Sequence, residues 1–126
     1  MLNSNKSLNK PKKIFVADDD PAIIESIILL LEEFGYEVES TSDGESLYRM
    51  EKDYPDLFLL DIWMSGQDGR EICKFLKKKK STKSIPIIMI SASREISKST
   101  KESGADDFIA KPYDMNTLLE KISKYI

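Results

Sequence analysis

Pro55-Asp56-Leu57-Phe58-Leu59-Leu60-Asp61 is the stretch that decides the fold of this chain. Four consecutive apolar residues without polar alternation describe a strand buried on both faces, as in the middle of a parallel sheet. An acid closing such a run stands at the carboxyl end of a central strand, where open α/β sheets bind their ligands. The same scheme repeats upstream. Ile14-Phe15-Val16-Ala17 is a buried-strand candidate and is followed by Asp18-Asp19-Asp20-Pro21. Asp20 suits an N-cap with Pro21 in the first turn. Ile23, Ile27, Leu30, Leu31 and Phe34 then recur at helical spacing as far as Gly35, a natural stop. Tyr36 to Ser40 form a short strand, and Ser42-Asp43-Gly44-Glu45 has the pattern of a capping box opening a helix that buries Leu47 and Met50.

Downstream, a loop through Gly66 and Gly69 leads to a helix carrying Ile72, Phe75 and Leu76. Ile85-Pro86-Ile87-Ile88-Met89-Ile90 is the fourth strand, and a polar helix runs from roughly Glu95 to Ser103. Phe108-Ile109-Ala110 is the fifth strand, and Leu118, Leu119 and Ile122 line a last helix. Strands alternating with helices in this way predict an α/β fold: a flavodoxin-like (βα)5, doubly wound, five-stranded parallel sheet of order 2-1-3-4-5. Residues 1–12, rich in Asn, Ser and Lys, read as a disordered lead-in, and residues 13–126 as one domain.

Composition narrows the chemistry. The 126 residues are 40% hydrophobic and 33% charged, with a net charge of −3. That balance offers no general basic field for nucleic acid or acidic lipid. No apolar run approaches the roughly 20 residues of a membrane span, and the first residues are not an apolar leader, so a cytoplasmic location is expected. The single cysteine, Cys73, beside Ile72 and one turn from Leu76, reads as a buried thiol. Histidine is absent, which excludes Ser-His-Asp and Cys-His triads and histidine-ligated zinc. Lys77-Lys78-Lys79-Lys80 with Lys83 lies at a helix C-terminus, where cations are favoured without any ligand.

What remains is gathered at the strand ends. The first strand ends in Asp18-Asp19-Asp20, the third in Asp61, the fourth in Ser91 and the fifth in Lys111-Pro112. The topology brings these acids, a hydroxyl and an amine to one edge of the sheet. Two carboxylates about 4 Å apart repel by roughly 4 kcal/mol at an effective dielectric near 20. Asp18, Asp19 and Asp61 together therefore invite a divalent cation, and all-oxygen ligands select Mg²⁺, Ca²⁺ or Mn²⁺. A carboxylate is also a competent nucleophile toward phosphorus, with Lys111 and Ser91 of the right type to steady phosphoryl oxygens.

These residues resemble the response-regulator receiver family. Val16-Ala17-Asp18-Asp19-Asp20-Pro21 is similar to its first-strand acidic pair, and Leu59-Leu60-Asp61-Ile62-Trp63-Met64 with Asp68-Gly69 to its acceptor segment. Ile87 to Ala92, and Gly104 to Phe108 with Lys111-Pro112, are similar to its last two motifs. The resemblance implies that Asp61 accepts a phosphoryl group, and that Asp18, Asp19, Asp61 and the backbone carbonyl of Trp63 hold Mg²⁺, with Mn²⁺ as an alternative. It implies that Ser91 and Lys111 bind phosphoryl oxygens and that Phe108, with Ser91, is the switch. The implied donor is a phosphohistidine on a sensor histidine kinase or phosphotransfer protein, and the implied recipient a downstream protein partner or output domain. Neither nucleic acid nor membrane is an expected partner of this domain. One departure is that Ser65 stands where the family usually has proline after Met64, which loosens that loop by roughly 0.4–1 kcal/mol.

Other readings of the same residues are weaker. A dehalogenase-type phosphatase would carry a second Asp two residues after the nucleophile, where this chain has Trp63. A flavin or dinucleotide binder lacks its glycine-rich turn after the first strand, where three acids would repel a pyrophosphate. A pseudo-receiver that binds partners without phosphorylation has no need of the complete acid, hydroxyl and lysine set.

Overall fold

The structure is a computed structural model that describes residues 10–64, 66–92 and 97–126. The elements run β1 (Lys13–Ala17), α1 (Pro21–Glu33), β2 (Glu37–Thr41), α2 (Glu45–Tyr48), β3 (Leu57–Asp61), β4 (Trp63–Met64) and β5 (Gln67–Asp68). They continue with α3 (Gly69–Lys78), β6 (Ile87–Ser91), α4 (Ser97–Glu102), β7 (Asp107–Ala110) and α5 (Met115–Ser123). The main sheet is parallel throughout, in the order β2-β1-β3-β6-β7. With the small β4–β5 ribbon set aside, this is the 2-1-3-4-5 order expected from the sequence.

The continuous apolar run of β3 has a simple cause. Phe58 and Leu60 enter a core shared with Ile72, Cys73 and Leu76 of α3. Leu57 and Leu59 enter the other core, against Ile27 and Leu31 of α1 and Leu118 and Ile122 of α5. Every residue from Leu57 to Leu60 is fully buried. Each contributes roughly 1.5–3 kcal/mol relative to an exposed position.

Local chemistry sets the ends of the elements. The Asp20 carboxylate accepts the N–H groups of Ala22 and Ile23, capping α1 ahead of Pro21. Gly35 ends the same helix at φ +91°, a backbone region that side chains with a Cβ avoid. Phe34 departs from the expected buried stripe: it caps the helix at its C-terminal end and is 60% exposed, because the helix stops before its turn faces the core. The expected capping box at Ser42–Glu45 is replaced by a tighter turn. The Asp43 carboxylate takes the Glu45 N–H, Gly44 stands at the N-cap, and α2 is one short turn. The predicted loop through Gly66 and Gly69 contains the antiparallel ribbon, with Trp63 opposite Asp68 and Met64 opposite Gln67. β6 starts at Ile87, two residues after the expected start. Pro86 has no N–H for the ladder, although its carbonyl accepts the Phe58 N–H.

Of the lysine run, Lys77 pairs with Asp106 and donates to the Ile85 carbonyl, and Lys79 donates to the Met50 carbonyl. Both therefore have structural duties. Of the lead-in expected at 1–12, residues 1–9 lie outside the described residues, as do Ser65 and the first turn expected for the polar helix. No helix among the described residues is long and apolar enough to cross a membrane.

Candidate functional site

The parallel sheet delivers the carboxyl ends of β1, β3, β6 and β7 to one edge. Asp18 follows β1; its N–H donates to the Thr41 carbonyl at 3.2 Å, and its Oδ1 accepts the Asp20 N–H at 2.9 Å. The turn into α1 thus aims a buried carboxylate at the site while Asp20 is spent on capping. Asp61 closes β3 and is 8% exposed. Lys111 follows β7, where its N–H donates to the Ser91 carbonyl at 2.7 Å. Its Nζ lies 3.5 Å from both Asp18 Oδ2 and Asp61 Oδ2. Ser91, buried, closes β6 one position beyond Ile90, the residue in register with Asp61. Asp19 is exposed at the rim.

Carboxylate oxygens of Asp18, Asp19 and Asp61 lie within 4.8 Å of one another. One ammonium does not balance three carboxylates, and the imbalance appears in the protonation of the acceptor candidate. Burial, and next the charge of Asp18, push the Asp61 carboxyl up to about 6, with Asp19 adding to the rise and Lys111 opposing it. Asp18 Oδ2 is buried and accepts no hydrogen bond among the described residues. An acidic, all-oxygen cluster with a buried carboxylate oxygen that accepts no hydrogen bond among the described residues, and has the Lys111 ammonium nearby at 3.5 Å, suits a hard divalent cation.

Trp63 is 57% exposed beside the site, opposite Asp68 in the ribbon. Phe108 stands back from the carboxylates. It pairs in register with Met89 and is half-buried against the α3-side core, on the face of the sheet opposite Ile109. Three neighbours were given no role at the site from the sequence, although Asp68-Gly69 was matched to the acceptor segment. Gly69 is one: a Cβ there would run into the carbonyl oxygen of Asp61 and stand 3.1 Å from Ile62 Cα. Tyr113 is another, its phenol pushed up by burial and by the charges of Asp18 and Asp61. It lines an apolar groove of about 650 Å³ that opens beside Lys111, with Ile23 of α1 and Met115 of α5. The third is Arg70, which holds Asp68 in a two-pronged ion pair. A glycine at a close approach and an Asp-x-Arg pair are weak sequence signals, because both gain meaning only from tertiary neighbours.

Comparison with known proteins agrees with this geometry. The family model of the response regulator receiver domain matches residues 14–123. The Bacillus subtilis alkaline phosphatase synthesis transcriptional regulatory protein PhoP is 40% identical over 105 residues, covering 81% of this chain and 43% of that protein. The chain thus spans about half the length of the curated relatives it matches. Among solved structures, the chemotaxis response regulator CheY4 of Vibrio cholerae superposes with a TM-score of 0.85 at 28% identity, covering 92% of this chain and 99% of that one. The response regulator TrrA of Thermotoga maritima, solved with Mg²⁺ and BeF, gives 0.81 at 33% identity, covering 91% and 99%. The acid cluster at the strand ends, the sheet order and the match over nearly the whole chain lead to one conclusion: this chain belongs to the response regulator receiver domain family, the signalling switches of two-component systems.

Proposed function

We propose that the chain accepts a phosphoryl group on Asp61, with Mg²⁺, or Mn²⁺ in its place, held by Asp18, Asp19, Asp61 and the backbone carbonyl of Trp63. The observation that carries this reading is the buried Asp61 carboxylate at the end of the central strand, 3.5 Å from Lys111 and clustered with Asp18 and Asp19. A carboxylate oxygen of Asp61 attacks phosphorus, the bond from phosphorus to the donor's leaving atom breaks, and its electron pair departs with the donor. The product is an aspartyl phosphate, and hydrolysis by water returns inorganic phosphate and the free carboxylate. Bound Mg²⁺ supplies neutralising charge for the phosphoryl oxygens. Lys111 pairs with one of those oxygens and the Ser91 hydroxyl donates to another.

The donor is a phosphohistidine on a sensor histidine kinase or phosphotransfer protein, as membership of the family implies, and the absence of histidine from this chain is consistent with that. The chain catalyses only its own phosphorylation and dephosphorylation. Its output is a change on the face formed by α4, β7 and α5, switched through Ser91 and Phe108 and read by a downstream protein or output domain. A cytoplasmic setting, without nucleic acid or membrane contact by this domain, fits the net charge of −3 and the structural duties of Lys77 and Lys79. Intact-mass measurement after incubation with acetyl phosphate and Mg²⁺ tests the proposal. One added phosphoryl mass on the wild type and none on Asp61→Asn is expected; equal labelling of the two rejects Asp61 as acceptor.

A further inference from the structure

Arg70 lies in the first turn of α3, and its guanidinium touches three segments at once. Nε and Nη2 donate to the two carboxylate oxygens of Asp68 at 2.9 and 2.7 Å. Cζ stands 5.3 Å from the centre of the Trp63 ring. Nη1 donates to Ser99 Oγ on α4 at 2.9 Å. A planar guanidinium serves carboxylate, ring and hydroxyl together; a lysine ammonium lacks the fork and the flat face. Because Asp68 is the cross-strand partner of Trp63, ring, carboxylate and guanidinium form one unit built on the ribbon that follows Asp61. On its far side this unit meets α4, a helix that turns Thr100 inward, with Ser103 just beyond its end; both are buried, and the Ser103 hydroxyl donates to the Thr100 carbonyl. The bond to Ser99 carries the guanidinium charge, which makes it stronger than a neutral hydrogen bond and a direct tie between the ribbon and this helix.

We propose that Arg70 is a positioning residue that couples the β4–β5 ribbon, and with it the Trp63 carbonyl, to helix α4. It gives the site a route to α4 that does not pass through Phe108. The functional consequence rests on the proposed metal contact of Trp63, whereas the coupling itself is a property of the metal-free protein. A shift of Trp63 moves the ring under the guanidinium and re-aims Nη1 at Ser99. By reciprocity, loss of the Ser99 hydroxyl changes the setting of Trp63 and the affinity of the site for its cation.

The test is a double-mutant cycle in the full chain with Ser99→Ala, Arg70→Ala and the double variant, and Arg70→Lys as a second partner. Trp63 is the only tryptophan, so acrylamide quenching of its fluorescence in EDTA reports its cover directly. Ser99→Ala is expected to change that quenching and to shift the Mg²⁺ titration midpoint by about two- to fivefold. With Arg70 replaced by Ala or by Lys, the same change should leave both unmoved. If Arg70→Ala fails to fold by circular dichroism, the Lys variant completes the cycle. An effect of Ser99→Ala that is equal in the Arg70 variants, or absent from the wild-type background, overturns the coupling. A saturable Mg²⁺ response without Arg70-dependent communication overturns it and leaves the proposed function standing. Arg70-dependent quenching with no Mg²⁺ response in any protein supports the coupling and counts against the metal site.

Discussion

Replacing Asp61 by Asn should stabilise the metal-free protein at neutral pH while abolishing its chemistry. The Asp61 carboxyl is lifted from 3.8 to about 6 by burial and by Asp18, net of the opposing pull of Lys111. The folded state therefore binds the proton more tightly than the unfolded state does. A raised carboxyl leaves stability intact below about pH 4 and erodes it as pH rises through about 6, the loss being complete above that. The lift corresponds to roughly 3 kcal/mol at most, for a side chain that is 11% exposed. Asparagine cannot ionise and escapes this cost. Urea unfolding in EDTA at pH 7.5 should place the midpoint of Asp61→Asn roughly 1–2 M above the wild type, and the gap should nearly close by pH 4. Saturating Mg²⁺ should stabilise the wild type far more than the variant and narrow the gap at pH 7.5. A wild type that is the more stable protein in EDTA at pH 7.5, or a gap unchanged between the two pH values, would refute the claim that the folded site stores the cost of a buried carboxylate beside Asp18.

Further outcomes follow from the same geometry. Mg²⁺ titration should change Trp63 fluorescence saturably, and Asp19→Ala should weaken the response; a flat signal through millimolar Mg²⁺ counts against a cation beside Trp63. Gly69→Ala forces a Cβ against the Asp61 carbonyl and should cost about 1–3 kcal/mol in urea unfolding as well as slowing labelling by acetyl phosphate. A variant of wild-type stability and rate would mean that the loop yields freely. Phosphorylation should move amide resonances around Ser91 and across residues 97–113, and Phe108→Ala should uncouple partner binding from phosphorylation. Shifts confined to the neighbourhood of Asp61 would remove α4 and β7 from the output.

The fold and the acidic cluster were legible in the sequence for one shared reason. A strand buried on both faces must be apolar at every position, so Leu57–Leu60 and Ile87–Ile90 announce themselves, and a parallel sheet sends whatever follows them to one edge. Asp18, Asp61 and Lys111 are therefore brought together by topology alone. The β4–β5 ribbon was not legible, because two residues per strand carry no period. Phe34 misled because helical spacing continues past the point where the chain leaves the helix. Arg70 was silent for a different reason: its meaning lies in Ser99, 29 residues away, and in a ring whose position depends on a ribbon that could not be foreseen.

The polar seat of α4 has a thermal consequence. Heat-capacity change follows apolar surface transferred to water, at roughly 0.45 cal/mol/K per Å², with polar surface acting in the opposite sense. Among the described residues α4 and its end bury the hydroxyl-bearing side chains of Thr100 and Ser103, so a shift of the helix that uncovered them would transfer little apolar surface there, and the two placements would differ little in heat capacity on that account. The balance between them then has little curvature with temperature, unlike the stability of the apolar cores on either side of the sheet.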